Sequence, residues 1–255
     1  MIILKSQSEL KTMREAGRIN AHVLEAVREA IHPGVTTLYL NDIAERVLEK
    51  HGATPIFKGY SFGGKLPPYP GALNTCINEE LVHAIPSSKR IIREGDLVSI
   101  DCGTLFKGYI GDSAFSIGVG SVSAEVEMLL TVTEQALQLG IAQAVAGNRI
   151  GDISAAIQDH VESHGYNVVR GYGGHGVGRS MHEEPHVPNY GKAGRGVRLR
   201  PRMTFAIEPM VLQGKKDVIV MPDQWTVAAK DGKLTAHFEH TIAITDNGPE
   251  ILTLP

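Results

Sequence analysis

The sequence predicts an α+β domain in which helices cover one face of a curved, mainly antiparallel sheet, built as two halves related by a pseudo-twofold. Two internal repeats in the 255 residues carry that expectation. In the helical patterns, Gly34 aligns with Gly147, Leu40 with Ile153, Leu48 with Val161 and His51-Gly52 with His164-Gly165, all at an offset of 113. In the strand patterns, Arg93-Glu-Gly-Asp-Leu-Val-Ser-Ile-Asp101 reads against Arg200-Pro-Arg-Met-Thr-Phe-Ala-Ile-Glu208 at an offset of 107. Both strand segments begin at arginine, turn apolar and end on isoleucine followed by a carboxylate. One such half cannot cover its own apolar sheet, so the two must pack together, with the ligand site at the join. A single domain is expected over 1–255, with halves of roughly 1–120 and 121–255.

Each helix announces its limits. Ser6-Gln-Ser-Glu9 has capping-box spacing, and Leu10, Met13, Gly17, Leu24, Val27 and Ile31 follow at helical intervals until His32-Pro33-Gly34. A second helix carries Leu40, Ile43, Val47 and Leu48 on one face and ends at His51-Gly52. A third runs from about Ser123 through Val126, Leu129, Leu130, Ala136, Leu137 and Ile141 and is broken by Gly147. The fourth shows Ile153, Ala156, Ile157 and Val161 and ends at His164-Gly165. Two loops stand out: the Gly- and Pro-rich stretch 63–71, and 189–202, which carries Lys192, Arg195, Arg198, Arg200 and Arg202.

Composition narrows the function class. Hydrophobic residues make up 42% and charged residues 21%, as in soluble globular proteins. A net charge of −3 gives no reason to expect a general nucleic-acid or anionic-membrane binder, so neither DNA nor membrane is an expected partner. No stretch approaches the roughly 20 apolar residues of a membrane span. The opening Met-Ile-Ile-Leu-Lys-Ser is too short an apolar run for a signal peptide. Cys76 and Cys102 could pair on count alone, but a chain of this length without a disulfide framework fits a reducing compartment. The cytoplasm is the expected location.

Five residues have the character of one metal site: Asp101, Asp112, His175, Glu208 and Glu239. A turn centred near Phe106-Lys107 would set Asp101 directly opposite Asp112, where facing carboxylates repel unless a cation holds them. Glu208 and Glu239 each interrupt an apolar run, and an acid in such a strand is costly without a partner. Few Lys or Arg lie nearby to form salt bridges. Four acids call for compensation near +4, which two divalent ions supply. His175 lies in Gly171-Tyr-Gly-Gly-His-Gly-Val-Gly178, which also matches Gly-x-Gly-x-x-Gly at 171, 173 and 176. No helix follows to receive a pyrophosphate, so the glycines are read as bringing backbone close to a histidine ligand. One nitrogen among carboxylates suits Mn, Fe, Co or Zn.

The segments Gly174-His-Gly-Val-Gly-Arg, His182-Glu-Glu-Pro, Phe205-Ala-Ile-Glu-Pro-Met, Trp225-Thr-Val and Glu239-His-Thr-Ile resemble type I methionine aminopeptidases over essentially the whole chain. The resemblance implies the duplicated pita-bread fold and a metal-dependent exopeptidase that removes the initiator methionine from nascent proteins whose second residue is small. It implies two divalent metal ions on Asp101, Asp112, His175, Glu208 and Glu239, with Glu208 also acting as general base. By the same resemblance His83 lies beside the substrate amide and His182 contacts the scissile carbonyl, while Phe57, Tyr60, Tyr69 and Trp225 are walls for the methionine side chain. The chain departs from the family in three places. Ser61 to Pro68 separates Gly59-Tyr60 from Tyr69-Pro70, an insertion of about six residues beside the substrate pocket that is expected to shape its rim; Asn74 replaces a cysteine; and Met181 replaces an aromatic residue.

Two rivals share the fold. A proline-specific aminopeptidase or prolidase usually carries an extra N-terminal domain, whereas this chain enters the repeat by residue 10. A non-catalytic binding protein would typically have lost ligands. The expected partner is the N-terminal methionine of nascent chains, met by a monomer. The basic run 192–202 could add a weak contact with the ribosome; the plainer reading is a solvated loop paired with local acids.

Overall fold

The computed structural model describes residues 2–255. Four helices form where the apolar periodicity and caps require them: α1 (Gln7–Ala30), α2 (Thr37–Lys50), α3 (Ala124–Gln143) and α4 (Ile150–Ser163). At the start of α1 the Ser6 hydroxyl accepts from the Glu9 N–H, and the Glu9 carboxylate accepts from the Ser6 N–H at 2.7 Å. Thr36 and Ser123 cap α2 and α3 through their side chains, and the Asp152 carboxylate accepts from the Arg149 N–H at the start of α4. α3 stops at Gln143, short of Gly147, which instead turns the chain toward α4. The glycines of the repeat match in conformation as well as position. Gly34 and Gly147 have φ of 97° and 99°, and Gly52 and Gly165 have 63° and 80°. A Cβ at any of the four would meet nothing, so the left-handed backbone is what requires glycine.

The main sheet has nine strands, and all its pairings are antiparallel. At its centre Tyr109–Gly118 pairs with Leu97–Phe106 on one side and Glu239–Thr245 on the other. Glu239–Thr245 pairs in turn with Thr204–Ile207, which touches Gly173–Gly176. Side chains alternate between faces. Ile100, Cys102, Phe115, Phe205, Ile207, Ile242 and Ile244 enter one core with residues from all four helices. The alternate positions carry Asp101, Asp112 and Glu239. Two three-stranded sheets complete the fold, and one of them joins Glu80–Val82, Val227–Ala229 and Val218–Val220.

α1 lies close against the strands that carry the aspartates. Asn20 is fully buried; its amide donates to the Cys102 and Gly111 carbonyls, and its own carbonyl accepts from the Ser113 hydroxyl. One side chain therefore locks α1 to the residues next to both Asp101 and Asp112. Gly111 permits the contact, because a Cβ there would sit 2.6 Å from the Gly17 backbone, and Gly17 in turn makes room for the C-terminal segment, since its own Cβ would sit 2.0 Å from the Leu252 carbonyl oxygen. Gly17→Ala gains about 1 kcal/mol of helix propensity but forces apart two backbones, and overpacking costs about 1–3 kcal/mol. The clash should win, so the variant should unfold at lower urea concentration than the parent; a higher midpoint would show that the helix can shift freely on the sheet.

Candidate metal centre

The hairpin that presents the aspartates closes on Lys107-Gly108, both left-handed at φ 48° and 79°, so that Phe106 faces Tyr109. This corrects the expected turn at Phe106-Lys107. Asp101 faces Ala114 and Asp112 faces Gly103, so the two acids are diagonal neighbours rather than direct partners. The left-handed pair that a two-residue hairpin demands falls where Gly108 supplies it. The shift of two residues is even, so both carboxylates stay on the same face. Ala114 is also the partner of Glu239, which sets Asp101, Ala114 and Glu239 in one row across three strands. Ile207 pairs with His240, and Glu208 follows Ile207 immediately, where Pro209 ends the ladder.

His175 completes the group from the neighbouring strand. Its Nε2 lies 3.8 Å from Asp112 Oδ2 and 3.6 Å from Glu208 Oε1. Its Nδ1 is 3.1 Å from the Gly176 carbonyl, to which a proton on Nδ1 is donated, leaving the Nε2 lone pair toward the carboxylates. Asp112, His175 and Glu239 each offer a ligand atom within 4.8 Å of the others. Among the described residues no lysine or arginine pairs with any of the four acids. Asp101 Oδ1, Asp112 Oδ1 and Glu239 Oε1 are buried without a hydrogen-bond partner.

The electrostatics follow from burial among like charges. Desolvation raises the Asp101 carboxyl to about 7, against a hydrogen bond from Asn74 that lowers it. Desolvation and then the charge of Asp101 raise Glu208 to about 8. Asp112 and Glu239 are pushed well above the usual carboxylate range, by burial first and neighbouring acids second. Unpartnered carboxylate oxygens around an imidazole lone pair are a donor set suited to divalent cations, so these residues fit a metal.

The structure brings the other singled-out residues to the same cavity, of about 320 Å³: His83, His182, Phe57, Tyr60, Tyr69 and Trp225 all line it. Pairing of Val82 with Val227 fixes both His83, which follows its strand with φ 62°, and nearby Trp225. The His182 ring lies 4.2 Å from that of His175, and its Nδ1 is 2.9 Å from the Tyr60 hydroxyl. The adjoining Glu183 is anchored by a buried 2.7 Å ion pair with Lys5. Burial lowers His83 to about 4 and also lowers His182.

Three residues of the site escaped sequence reasoning. His237 is buried with Nε2 3.9 Å from Glu208 Oε2 and 3.8 Å from Glu239 Oε2. It lies two positions before Glu239, a period-two signal that could have found it. Asn74, cross-strand from Asp101, donates to Asp101 Oδ2 at 2.7 Å, a contact visible only once the strand order is known. Phe62 packs against Tyr60, His182 and Trp225; the sequence singled out its segment, Ser61 to Pro68, as lying beside the pocket, but not this ring.

Metal ligation requires these acids to be ionised, so it must displace protons held at neutral pH. Apparent Mn or Co affinity should rise from pH 6 to pH 8, through the values near 7 and 8 of Asp101 and Glu208. Calorimetry in buffers of different ionisation enthalpy should detect protons released at pH 7, and fewer from Asp101→Asn. The same raised carboxyls work against the metal-free fold at high pH: its stability should fall as pH climbs through 7 and 8 and recover when metal is added. Affinity independent of pH, without proton release, would remove this site as the binding locus.

Comparison with known proteins agrees with this geometry. Residues 11–246 match the profile of metallopeptidase family M24. The methionine aminopeptidase of Clostridium acetobutylicum is 49% identical over 254 residues, covering 100% of this chain and 99% of that protein. Methionine aminopeptidase 1 of Bacillus subtilis is 49% identical over 253 residues, covering 99% of each. Among solved structures, the methionine aminopeptidase of Thermotoga maritima superposes with a TM-score of 0.96 at 44% identity, with 100% of both chains covered. The prolidase of Pyrococcus horikoshii gives 0.77 at 26%, with 99% of this chain and 64% of that one covered. These matches establish that the chain belongs to metallopeptidase family M24, among its methionine aminopeptidases.

Proposed function

We propose that this chain removes the N-terminal methionine from polypeptides whose second residue is small. The observation that carries the reading is the junction of two surfaces in one cavity: the Asp101, Asp112, His175, Glu208, Glu239 floor and the aromatic wall of Tyr69 and Trp225. Such a wall suits an unbranched thioether, and sulfur–aromatic contacts favour it. Two divalent ions held by the five residues, drawn from Mn, Fe, Co or Zn, would activate a water and polarise the scissile carbonyl. Glu208 takes the attacking proton and returns it to the leaving nitrogen, a task suited to a carboxylate at the cavity floor. The Tyr60 hydroxyl lies 2.9 Å from His182 Nδ1; with the hydroxyl as donor, His182 would carry its proton on Nε2 and offer it to the developing oxyanion. His83 flanks the amide as a neutral imidazole.

The relatives named as methionine aminopeptidases are 40–49% identical across the chain, well above the prolidase structure at 26%. Purified protein loaded with Mn or Co should cleave Met-Ala-Ser and leave Ala-Pro intact, and a chelator should abolish cleavage until metal is restored. Cleavage confined to Xaa-Pro substrates would favour the prolidase reading. Loss of no activity in chelator would end the metallopeptidase reading altogether.

Nascent chains are the substrate this reading implies, and a cytoplasmic site of action accords with two free, buried thiols. No described helix is long and apolar enough to cross a membrane. Lys192, Arg195, Arg198, Arg200 and Arg202 lie on or beside an exposed loop, and among the described residues none forms an ion pair with an acid. That leaves the run available to a phosphate-rich surface such as the ribosome. Reversing Arg195 and Arg198 to glutamate should reduce ribosome co-sedimentation at low salt with short-peptide turnover intact. Equal co-sedimentation of parent and variant would dispose of the contact.

A further inference from the structure

The segment Ser61–Pro68 borders the cavity and places one side chain, Phe62, in its lining. Its base is a pair of backbone hydrogen bonds, Gly59 N–H to the Tyr69 carbonyl and Tyr69 N–H to the Tyr60 carbonyl, both 2.8 Å. Its far end is fixed by the Trp225 indole, whose Nε1 donates to the Pro67 carbonyl at 3.0 Å. Within it the Ser61 carbonyl accepts from both Gly64 and Leu66. Phe62, Gly63 and Gly64 are all left-handed, at φ 45°, 71° and 81°. A phenylalanine rarely adopts that conformation, and a bulky residue held there marks a constraint imposed by its surroundings.

The constraint aims one ring at the reacting groups. The Phe62 centroid lies 4.9 Å from Tyr60 edge-on, 5.6 Å from Trp225 at a 33° tilt, 5.8 Å from His182 and 6.1 Å from His83. Phe62 is thus the ring that touches both the methionine wall and the two histidines beside the scissile amide. Trp225 and Tyr69 are 4% and 3% exposed, but Phe62 is 37% exposed, so it stands at the mouth. A substrate with its methionine against Trp225 and its first amide between His83 and His182 leads its second residue out past this ring.

We propose that Phe62, held by the Ser61–Pro68 segment, is the residue through which this enzyme measures the side chain that follows the methionine. The inference rests on the aminopeptidase reading and adds to it a specificity determinant carried by that segment. Small side chains pass beneath the ring. β-branched and longer ones meet it, and the anchored segment cannot swing away without breaking the Trp225–Pro67 hydrogen bond.

The test compares kcat/KM for Met-Ala-Ser, Met-Val-Ser and Met-Thr-Ser in the metal-loaded parent, Phe62→Ala and Phe62→Leu. A steric gate of one ring predicts that the Met-Val to Met-Ala ratio rises about tenfold in Phe62→Ala, with Phe62→Leu intermediate. Met-Thr should move with Met-Val, because the two share shape and differ in polarity. Ratios equal to the parent's would overturn the proposal, as would a uniform loss for all three peptides, which would assign the ring to the methionine itself. Should Phe62→Ala fail to fold by its circular dichroism melt, Phe62→Leu alone decides, by a raised or an unchanged ratio. A parent that cleaves none of the peptides sinks the aminopeptidase reading itself, an outcome distinct from an unchanged ratio in an active parent.

Discussion

Four carboxyl groups share one desolvated floor with no lysine or arginine against them among the described residues, and the rest of the structure is arranged around that constraint. Taking a carboxylate out of water is expensive, and setting others beside it compounds the penalty. The metal-free protein answers by holding protons, which is why Asp101 and Glu208 rise to about 7 and 8. A site that were merely structural would satisfy these oxygens with guanidinium groups or backbone amides. Here several oxygens are left bare. Bare, dry oxygens facing an imidazole lone pair are costly in every state except the one in which cations are bound, so binding free energy and folding free energy are linked at this floor.

Holding like charges together requires a scaffold that cannot relax away from them. The antiparallel ladder supplies it: Asp101, Ala114 and Glu239 are fixed in one row by three strands, and Glu208 is delivered by the next. Asn20 reinforces the row from behind, since its amide and carbonyl are spent on groups beside Asp101 and Asp112. A buried polar side chain with its hydrogen bonds satisfied specifies one register, because any slip strands its partners. The close approach of strand to helix allowed by Gly111 puts that side chain within reach.

What could be read from the sequence, and what could not, follows from the range of each interaction. Helix limits are local: Ser6 with Glu9 and the repeated glycines at 34, 52, 147 and 165 carry their signals within a few residues. The acids were conspicuous because each interrupts an apolar strand, a period-two signal. The register of the aspartate hairpin was misplaced by two residues because Lys107, a side chain that seldom adopts left-handed backbone, occupies one of the two turn positions. The face survived that error and the pairing did not. His237 left a local trace, two positions before Glu239, whereas the roles of Asn74 and Phe62 depend on a cross-strand neighbour and on residues far along the chain that only the folded structure defines.

The histidines and the acids are neutralised by the same burial acting on opposite charges. Desolvation raises the carboxyls and lowers the imidazoles, with His175 and His237 both brought to about 3 and His83 to about 4. In the metal-free protein both classes are therefore pushed toward neutrality. A divalent cation breaks the symmetry: it favours ionised carboxylates, while its positive charge opposes any proton on an imidazole nearby. A floor loaded with divalent metal would set its ionised carboxylates against that positive charge and keep the imidazoles beside it neutral. Neutral imidazoles at a cation-rich floor can donate one hydrogen bond and accept another, which a protonated ring cannot do. Handling an amide, whose carbonyl needs a donor and whose nitrogen must receive a proton, calls for both capacities within one cavity.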